Sequence, residues 1–228
     1  MAAIYLVRHG QASFGASDYD ALSELGIKQA SLCGQQLSRL CRDGAIVISG
    51  DMQRHLQTFE YASQHCQFAA HSVVSAWNEY DHEAIFAAYD PSLDGAEAMA
   101  VWLAKQSEPK SALAATFAAA IARWQTGEFD NYPESWQHFK ARVEQALKEA
   151  IEQLAKGQDI VIFSSGGPIS WILNRLLHAD ESKWLAMNWT LVNAGYHKII
   201  QSSFGTFVSS MNEHSYLQMV DKELITYK

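Results

Sequence analysis

The most informative residues for chemistry are Arg8, His9 and Gly10, which follow directly after the apolar run Ile4 to Val7. Arginine offers a planar pair of N–H groups to phosphate oxygens, and a neutral imidazole can attack phosphorus and carry the phosphoryl group covalently. The glycine lets the backbone approach a ligand without a Cβ atom in the way. The three residues therefore predict a phosphoryl-transfer site, with a surface arginine and a structural histidine as the alternative.

Two further charged side chains follow apolar runs in the same way. Arg54 stands at the start of a predicted helix, after the segment Ser49–Gln53, where a helix N-terminus and a guanidinium can both face an anion. Glu79 follows a third apolar run and is a candidate to protonate a leaving oxygen and then to activate water. Taken alone, each is more simply explained as a solvated surface residue, so the functional interpretation depends on their shared placement.

The elements around these residues alternate between short apolar strands and helices. The predicted order of the first half is strand Ile4–Val7, a helix that Ser23 caps, strand Ala45–Ile48, a helix from Met52 to about Gln64, and strand Ser72–Val74. Such a succession predicts an α/β fold with a mostly parallel central sheet and helices on both faces. In sheets of this kind ligands bind beyond the carboxyl ends of the strands, where Arg8, His9 and Arg54 are expected.

The second half begins with Ala-rich helical sequence from about residue 83 to 156, which we interpret as a helical insertion in a single domain of residues 1–228. Strands are then expected to resume. The predicted elements are strand Ile160–Phe163, a helix from about Pro168 to Leu177, strand Trp189–Val192, and a hairpin of Tyr196–Gln201 and Phe207–Met211 around Phe204-Gly205. The insertion is the expected source of substrate specificity.

The amino-acid composition indicates which kinds of ligand and which cellular location to expect. A net charge of −8 disfavours nucleic acid and anionic membranes, so an anionic ligand has to be captured by a local arginine cluster. The three cysteines, Cys33, Cys41 and Cys66, have no C-x-x-C spacing, which favours reduced thiols over a disulfide framework or a zinc site. The sequence starts without a charged region typical of a signal peptide and has no apolar run of about 18 residues, the minimum for a membrane span. A cytoplasmic protein is predicted.

Taken in order, these segments resemble the histidine phosphatase superfamily, also called the phosphoglycerate mutase-like family. The resemblance rests on segments that span residue 4 to about residue 170: Leu6–Gln11, Leu22–Ala30, Ser49–Thr58, Asn78-Glu79, Pro133–Ser135 and Ser165–Ile169. It implies that His9 is the nucleophile, that Arg8 and Arg54 clamp the phosphoryl group, and that Glu79 donates a proton. It also implies no metal, no organic cofactor and a small phosphorylated metabolite as substrate.

The sequence departs from the family pattern at two places. The family usually has a second histidine in a His-Gly-Gly segment, where this chain has Ser165, Gly166 and Gly167. The family often also has an asparagine in the loop after the first glycine, and this loop has none. We expect Gln11 or Ser13 to serve there, and we assign Gln11, Ser165 and Gly166 to phosphate binding. Losing one preorganised donor is expected to cost on the order of 10²–10³ in rate.

Three accounts of Ser165 remain open from the sequence. Its hydroxyl can donate a neutral hydrogen bond in a slower enzyme, His82 or His55 can reach the place of the missing imidazole, or the pocket can bind phosphate without turnover. A helix N-cap that touches no ligand is the structural alternative. A serine hydrolase is disfavoured because the segment lacks the G-x-S-x-G elbow. The leading prediction is a metal-independent phosphomonoesterase, with a mutase-like phosphotransferase and a weak phosphate-binding or regulatory protein as alternatives.

Overall fold

The structure is a computed structural model that describes residues 2–13, 20–154 and 157–227. Residues 155 and 156, at the end of the predicted insertion, lie outside the described residues. Within the described part, a six-stranded sheet has the order β3-β2-β4-β1-β5-β6. The strands are β1 Ala3–Arg8, β2 Ile46–Ser49, β3 Ala70–Val73, β4 Ile160–Ser164, β5 Tyr196–Ser202 and β6 Gly205–Glu213.

Strands β1 to β4 are mutually parallel, and β5 runs antiparallel to β1. The sheet is therefore mostly parallel, as the sequence predicts. All six residues of β1 and all five of β4 are buried, which explains why both strands are continuous apolar runs rather than alternating ones. The β5–β6 hairpin turns at Phe204-Gly205, also as predicted.

Nine α-helices lie in the described residues. They are α1 Glu24–Leu40, α2 Gln53–Ser63, α3 His82–Tyr89, α4 Ala96–Ala104, α5 Pro109–Thr126, α6 Trp136–Leu154, α7 Gly166–Leu176, α8 Trp184–Thr190 and α9 Ser215–Gln218. Short 3₁₀ turns occur at Ser75–Trp77, Pro91–Leu93, Glu181–Lys183 and Lys222–Leu224. Within this described part, no helix is long and apolar enough to cross a bilayer.

Helix α1 begins where the sequence predicts, because Ser23 Oγ accepts a hydrogen bond from the backbone N–H of Gly26 at 3.0 Å. Its buried side packs on one face of the sheet, where Cys33 and Leu37 join Val7 and Phe163 in a continuous apolar cluster. Since side chains alternate along a strand, Leu6 points to the opposite face, and α7 contacts β1 there. The central strands β1 and β4 are thus fully buried, whereas the edge strand β3 is exposed.

One predicted strand is wrong. Trp189–Val192 does not join the sheet: Trp189 lies in α8, and Leu191 follows the helix, with its N–H donating to Asn188 O. The backbone N–H of Val192 donates instead to the Asn212 side chain at 2.9 Å. A short run of β-branched and aromatic residues is compatible with a strand and with the end of a helix. Here the Asn212 side chain, and not a neighbouring strand, bonds the N–H of Val192 and the carbonyl of Thr190.

The helical segment between β3 and β4 is present, as the sequence predicts. The chain divides into two compact units, residues 80–142 and the remainder. In the unit of residues 80–142, Trp124 and Trp136 are each 1% exposed and pack with Phe139, so these aromatic side chains form core. That the whole chain is a single domain with an insertion of about 83–156 stays a prediction.

A buried histidine makes stability depend on pH. His197 on β5 is fully buried, and its Nδ1 accepts the backbone N–H of Asn212 at 3.0 Å. Burial, reinforced by the charge of Arg8, lowers the pKa of His197 from 6.5 to about 3. The unfolded chain therefore binds a proton below pH 6.5 that the folded chain does not, and stability falls as pH drops through this interval.

We expect His197→Asn, whose Oδ1 can accept the same N–H, to flatten this dependence. Between pH 6.5 and about 4, the wild type should lose up to about 1.4 kcal/mol per pH unit more than the variant. Urea unfolding at several pH values measures the difference. If the free energy of unfolding changed with pH in parallel for the two proteins, the protonation of His197 would not be the cause of the pH dependence.

Candidate active site

The carboxyl ends of the central strands meet at one edge of the sheet. Arg8 is in register with Ser164 of β4, and Ser49 of β2 is in register with Phe163. The backbone N–H of His9 donates to Ser164 O at 2.9 Å, which continues the ladder by one residue. The loops that follow β1, β2 and β4 therefore start side by side, and the predicted site residues of all three loops are brought to this edge.

His9 is held in one orientation and is 7% exposed. Its Nδ1 lies 2.7 Å from Gly10 O. Because a carbonyl only accepts, Nδ1 carries the proton of the neutral ring, and Nε2 is left with the lone pair. Burial, followed by the charges of Arg54 and Arg8 and the ring of His55, lowers the pKa of His9 well below 6.5. At neutral pH this imidazole is thus neutral, with its lone pair on Nε2.

Gly10 fixes the turn after β1. A Cβ atom at this position would lie 2.5 Å from Gly26 O, so the close approach of the loop to α1 requires glycine. The backbone N–H of Gly10 donates to Thr58 Oγ1 at 3.0 Å, and Thr58 in turn donates to Arg54 O at 2.6 Å. Thr58 therefore links the loop that carries His9 to the helix that carries Arg54.

Arg8 and Arg54 are both 8% exposed, an uncommon degree of burial for arginine. Arg8 Nη1 donates to Leu191 O. Arg54 Nη1 is paired with Asp20, whose other carboxylate oxygen accepts the N–H of Gln53 at 2.6 Å. Asp20 thus satisfies the first turn of α2 and orients the guanidinium at the same time. After burial, both positive charges contribute to the lowered pKa of His9.

Glu79 lies at the N-terminus of α7. The backbone N–H of Gly167 donates to its two carboxylate oxygens at 3.0 and 3.2 Å. The segment before Glu79 is anchored to β4, because Ser164 Oγ donates to Trp77 O at 2.6 Å. The Glu79 carboxyl group is thus held at the start of the helix whose N-cap residue is Ser165.

Ser165 occupies the N-cap position of α7, but its side chain makes no capping hydrogen bond. Its Oγ lies 2.6 Å from His55 Nε2 and 3.4 Å from Arg54 Nε. Gly166 follows at a tight point, where a Cβ atom would lie 2.1 Å from Asn188 Oδ1 and 3.7 Å from Arg8 Nε. The segment Ser165-Gly166 is thus enclosed between the two arginines.

Gln11 lies at the edge of this group. Its Oε1 accepts the hydroxyl of Ser23 at 2.8 Å, and its backbone N–H donates to Gln29 Oε1 at 2.8 Å. These contacts tie the loop to α1. A direct role of Gln11 in phosphate binding stays a prediction.

Sequence reasoning missed two residues of this site and left a third undecided. Asp20 lies in none of the segments that carry the family resemblance, and Thr58 ends one of them but received no role from the sequence. Their partners are distant in sequence and depend on how α2 packs. His55 stands next to Arg54 and is one of two histidines, with His82, that the sequence offers for the place of the missing imidazole. Its contact with Ser165, 110 positions away, appears only in the tertiary structure. His82, another of those histidines, is the first residue of α3 in the unit of residues 80–142.

Within the described ranges, no group of three or more His, Cys, Asp or Glu side chains is arranged to hold a metal ion. The side chains gathered here are instead an imidazole, two guanidiniums, a carboxylate and a hydroxyl around a helix N-terminus. This arrangement suits a phosphoryl group, whose oxygens accept from arginine and from helix N–H groups.

The chain matches the model of the histidine phosphatase superfamily (branch 1) over residues 4–87 and 98–214. The protein therefore belongs to this superfamily, and the resemblance seen in the sequence motifs is confirmed. No curated protein matches the chain by overall sequence.

Solved structures with this fold include enzymes that act on different phosphoesters. A phosphoserine phosphatase mutant of Entamoeba histolytica in complex with phosphoserine is 18% identical, with a TM-score of 0.65 over 95% of this chain and 100% of that chain. A mycobacterial glucosyl-3-phosphoglycerate phosphatase in complex with VO3 is 18% identical, with a TM-score of 0.66 over 94% and 100%. A phosphoglycerate mutase of Bacillus anthracis is 19% identical, with a TM-score of 0.62 over 95% and 95%. At these identities the likeness concerns the fold.

The electrostatics of His9 can be tested directly. In ¹⁵N-histidine-labelled protein, we expect the His9 ring to stay neutral at pH values well below 6.5 and to carry its proton on Nδ1. Arg54→Gln removes one of the charges that disfavour the imidazolium, so the pKa of His9 should rise. The exposed Arg39→Gln is the matched control. A pKa that does not respond to Arg54→Gln would contradict the electrostatic coupling.

Proposed function

We propose that this protein is a metal-independent phosphomonoesterase that works through a phosphohistidine on His9. The observation that carries the proposal is a neutral, oriented imidazole buried beside two guanidiniums at the strand ends. In that place a phosphate dianion meets two compensating charges and a nucleophile at once. Membership of the histidine phosphatase superfamily supports the same chemistry.

The reaction would proceed in two displacements. His9 Nε2 attacks phosphorus, the bond from phosphorus to the ester oxygen breaks, and Glu79 gives a proton to the departing alkoxide. The alcohol leaves, and a water molecule then attacks the phosphohistidine while the Glu79 carboxylate takes its proton. The P–N bond breaks, inorganic phosphate is released, and both residues return to their starting protonation states.

Arg8 and Arg54 would bind the phosphoryl oxygens throughout, assisted by the N–H groups at the start of α7. Ser165 would supply one neutral donor where the family usually has an imidazole, so we propose reduced efficiency relative to relatives with that histidine. The substrate class is a small phosphorylated metabolite. The net charge of −8 disfavours the binding of nucleic acid, whose backbone is also negative. A cytoplasmic location stays a prediction from the sequence.

One observation favours phosphate binding without efficient turnover, namely that Ser165 replaces an imidazole donor. The mutase-like alternative requires that the phosphohistidine outlive exchange of one alcohol for another. Product analysis separates the three functions, since a phosphatase releases inorganic phosphate, a mutase gives an isomerised phosphoester, and a binding protein gives neither.

His9→Ala should abolish turnover, with a loss of on the order of 10³ or more, because no other described side chain replaces the nucleophile. A screen of phosphorylated metabolites for phosphate release, followed by rapid acid and alkaline quench, measures both rate and label. Wild type should show alkali-stable, acid-labile phosphate, and His9→Ala none. The exposed His65→Ala is the matched control. Equal acid-labile label in His9→Ala would rule out His9 as the acceptor.

Glu79→Gln should affect poor leaving groups most. Glycerol phosphate needs a proton on its departing alkoxide, so its rate should fall about 10²–10⁴-fold, whereas p-nitrophenyl phosphate, whose leaving group is a stable anion, should lose little in the first step. The exposed Glu60→Gln should leave both rates unchanged. Equal losses of Glu79→Gln on the two substrates would indicate that Glu79 serves only binding or structure.

A further inference from the structure

A buried pair formed by His55 and Ser165 lies inside the arginine cluster. Both residues have no exposed surface, and His55 Nε2 is 2.6 Å from Ser165 Oγ. Ser165 is the N-cap residue of α7, yet its hydroxyl does not cap the helix. The pair also borders the candidate nucleophile, since the rings of His55 and His9 have centroids 5.8 Å apart. The hydroxyl of Ser165 is therefore directed by α2 rather than by its own helix.

The local backbone makes room for this imidazole. A Cβ atom at Gly50 would lie 2.2 Å from His55 Nδ1, a separation that real atoms do not adopt. Gly50 has no positive φ that would otherwise call for glycine. Space for the His55 ring, together with the neighbouring Asn78 side chain, is thus the steric reason for glycine at this position.

The neighbours of His55 and Ser165 determine which of their atoms donate and which accept hydrogen bonds. Arg54 Nε only donates, so Ser165 Oγ accepts from it at 3.4 Å. His55 is neutral, because burial and then the charge of Arg54 lower its pKa well below 6.5. If the ring proton were on Nδ1, it would be buried without an acceptor, since Nδ1 has no hydrogen-bond partner among the described residues. Buried N–H groups without acceptors are rarer than acceptors without donors, which favours the proton on Nε2.

With the proton on Nε2, Ser165 Oγ accepts two N–H groups and keeps its own proton for a third partner. Two donated hydrogen bonds polarise the hydroxyl and fix its rotamer, so its O–H is a stronger and better oriented donor than that of an isolated serine. Both donors also border the candidate site, since Arg54 acts on the charge of His9 and the rings of His55 and His9 are neighbours.

We infer that His55 is a positioning residue that holds the Ser165 hydroxyl so that its proton is donated to the transferred phosphoryl group. The inference rests on the proposed function, because it assigns the phosphoryl oxygen as the acceptor. His55 and Ser165 together would then replace the single imidazole that the family pattern expects at position 165. His55 acts through Ser165 and does not touch the substrate.

The burial of the pair has a steric consequence. A histidine at position 165 would have to occupy the volume that His55 fills, because the two side chains are already in hydrogen-bond contact in a site without exposed surface. His55 and an imidazole at position 165 therefore exclude each other. Ser165→His alone should lower activity, and the double variant His55→Ala/Ser165→His should recover part of it.

The affinity of orthovanadate, a phosphoryl analogue, tests the pair without requiring turnover. We expect Ser165→Ala and His55→Ala each to weaken vanadate binding about tenfold to a hundredfold, as for a lost hydrogen bond to a charged group. The variant with both changes should be no weaker than Ser165→Ala, because His55 acts through that hydroxyl. His55→Gln, whose amide nitrogen can donate to Ser165 Oγ, should retain most of the affinity and guards against loss of fold in His55→Ala. Thermal unfolding of each variant and the exposed His65→Ala provide the controls.

Single-turnover kinetics on a substrate found by the screen complete the test. The rate of phosphohistidine formation should fall on the order of 10²-fold in Ser165→Ala and follow the same non-additive pattern in His55→Ala. Acid-labile label on His9 in every variant except His9→Ala keeps the proposed function separate from this inference. If wild type forms no phosphohistidine but the vanadate pattern holds, the proposed function fails and the pairing stands.

Three results would overturn the inference. Unchanged vanadate affinity in His55→Ala and Ser165→Ala would show that the hydroxyl does not reach the anion. Additive losses in the double variant His55→Ala/Ser165→Ala would show that His55 acts independently of Ser165. Acid-stable phosphate on Ser165 would show that His55 accepts the serine proton and that the serine is itself a nucleophile.

Discussion

Two guanidinium groups buried next to a neutral imidazole form the electrostatic constraint on which this structure depends. Arg8 and Arg54 are almost out of contact with water, and burying an unpaired charge is costly. Hydrogen-bond and ion-pair partners offset this cost. Arg8 donates to the Leu191 carbonyl, and Arg54 is paired with the Asp20 carboxylate. Burial, and then these same two charges, lower the pKa of His9 and keep its imidazole neutral.

The rigidity of this arrangement comes from the sheet. The parallel register of β1, β2 and β4 sets three loops side by side, and two buried hydrogen bonds hold this region together. Thr58 joins the His9 loop to α2, and Ser164 joins β4 to the segment before Glu79. These buried links join elements that are far apart in sequence, and they hold the candidate site residues in place without a ligand. Such preorganisation is the principal way in which enzymes stabilise charge in a transition state.

A serine in place of an imidazole changes the charge of the site as well as its shape. A histidine that can be protonated adds a third positive group to a phosphate pocket, whereas Ser165 and the neutral His55 add none. The pocket is thus less positive than the family pattern implies, and it relies on hydrogen-bond geometry where relatives can use charge. The net charge of the whole chain is −8, which disfavours the binding of anions away from this arginine pair.

The sequence by itself determined the fold class and placed the candidate site residues directly after the strands, because short-range patterns encode both. Fully apolar runs such as Ile160–Phe163 specify buried parallel strands, and polar residues directly after such runs must lie at the strand ends. The prediction of a strand at Trp189–Val192 was wrong, since local propensity does not include the hydrogen bond that the Val192 N–H donates to the Asn212 side chain. Only the tertiary structure decided which side chain meets Ser165 and how Arg54 is neutralised. Those contacts join positions 110 and 34 residues apart, and their geometry depends on how α2 packs against the strand ends rather than on any local pattern.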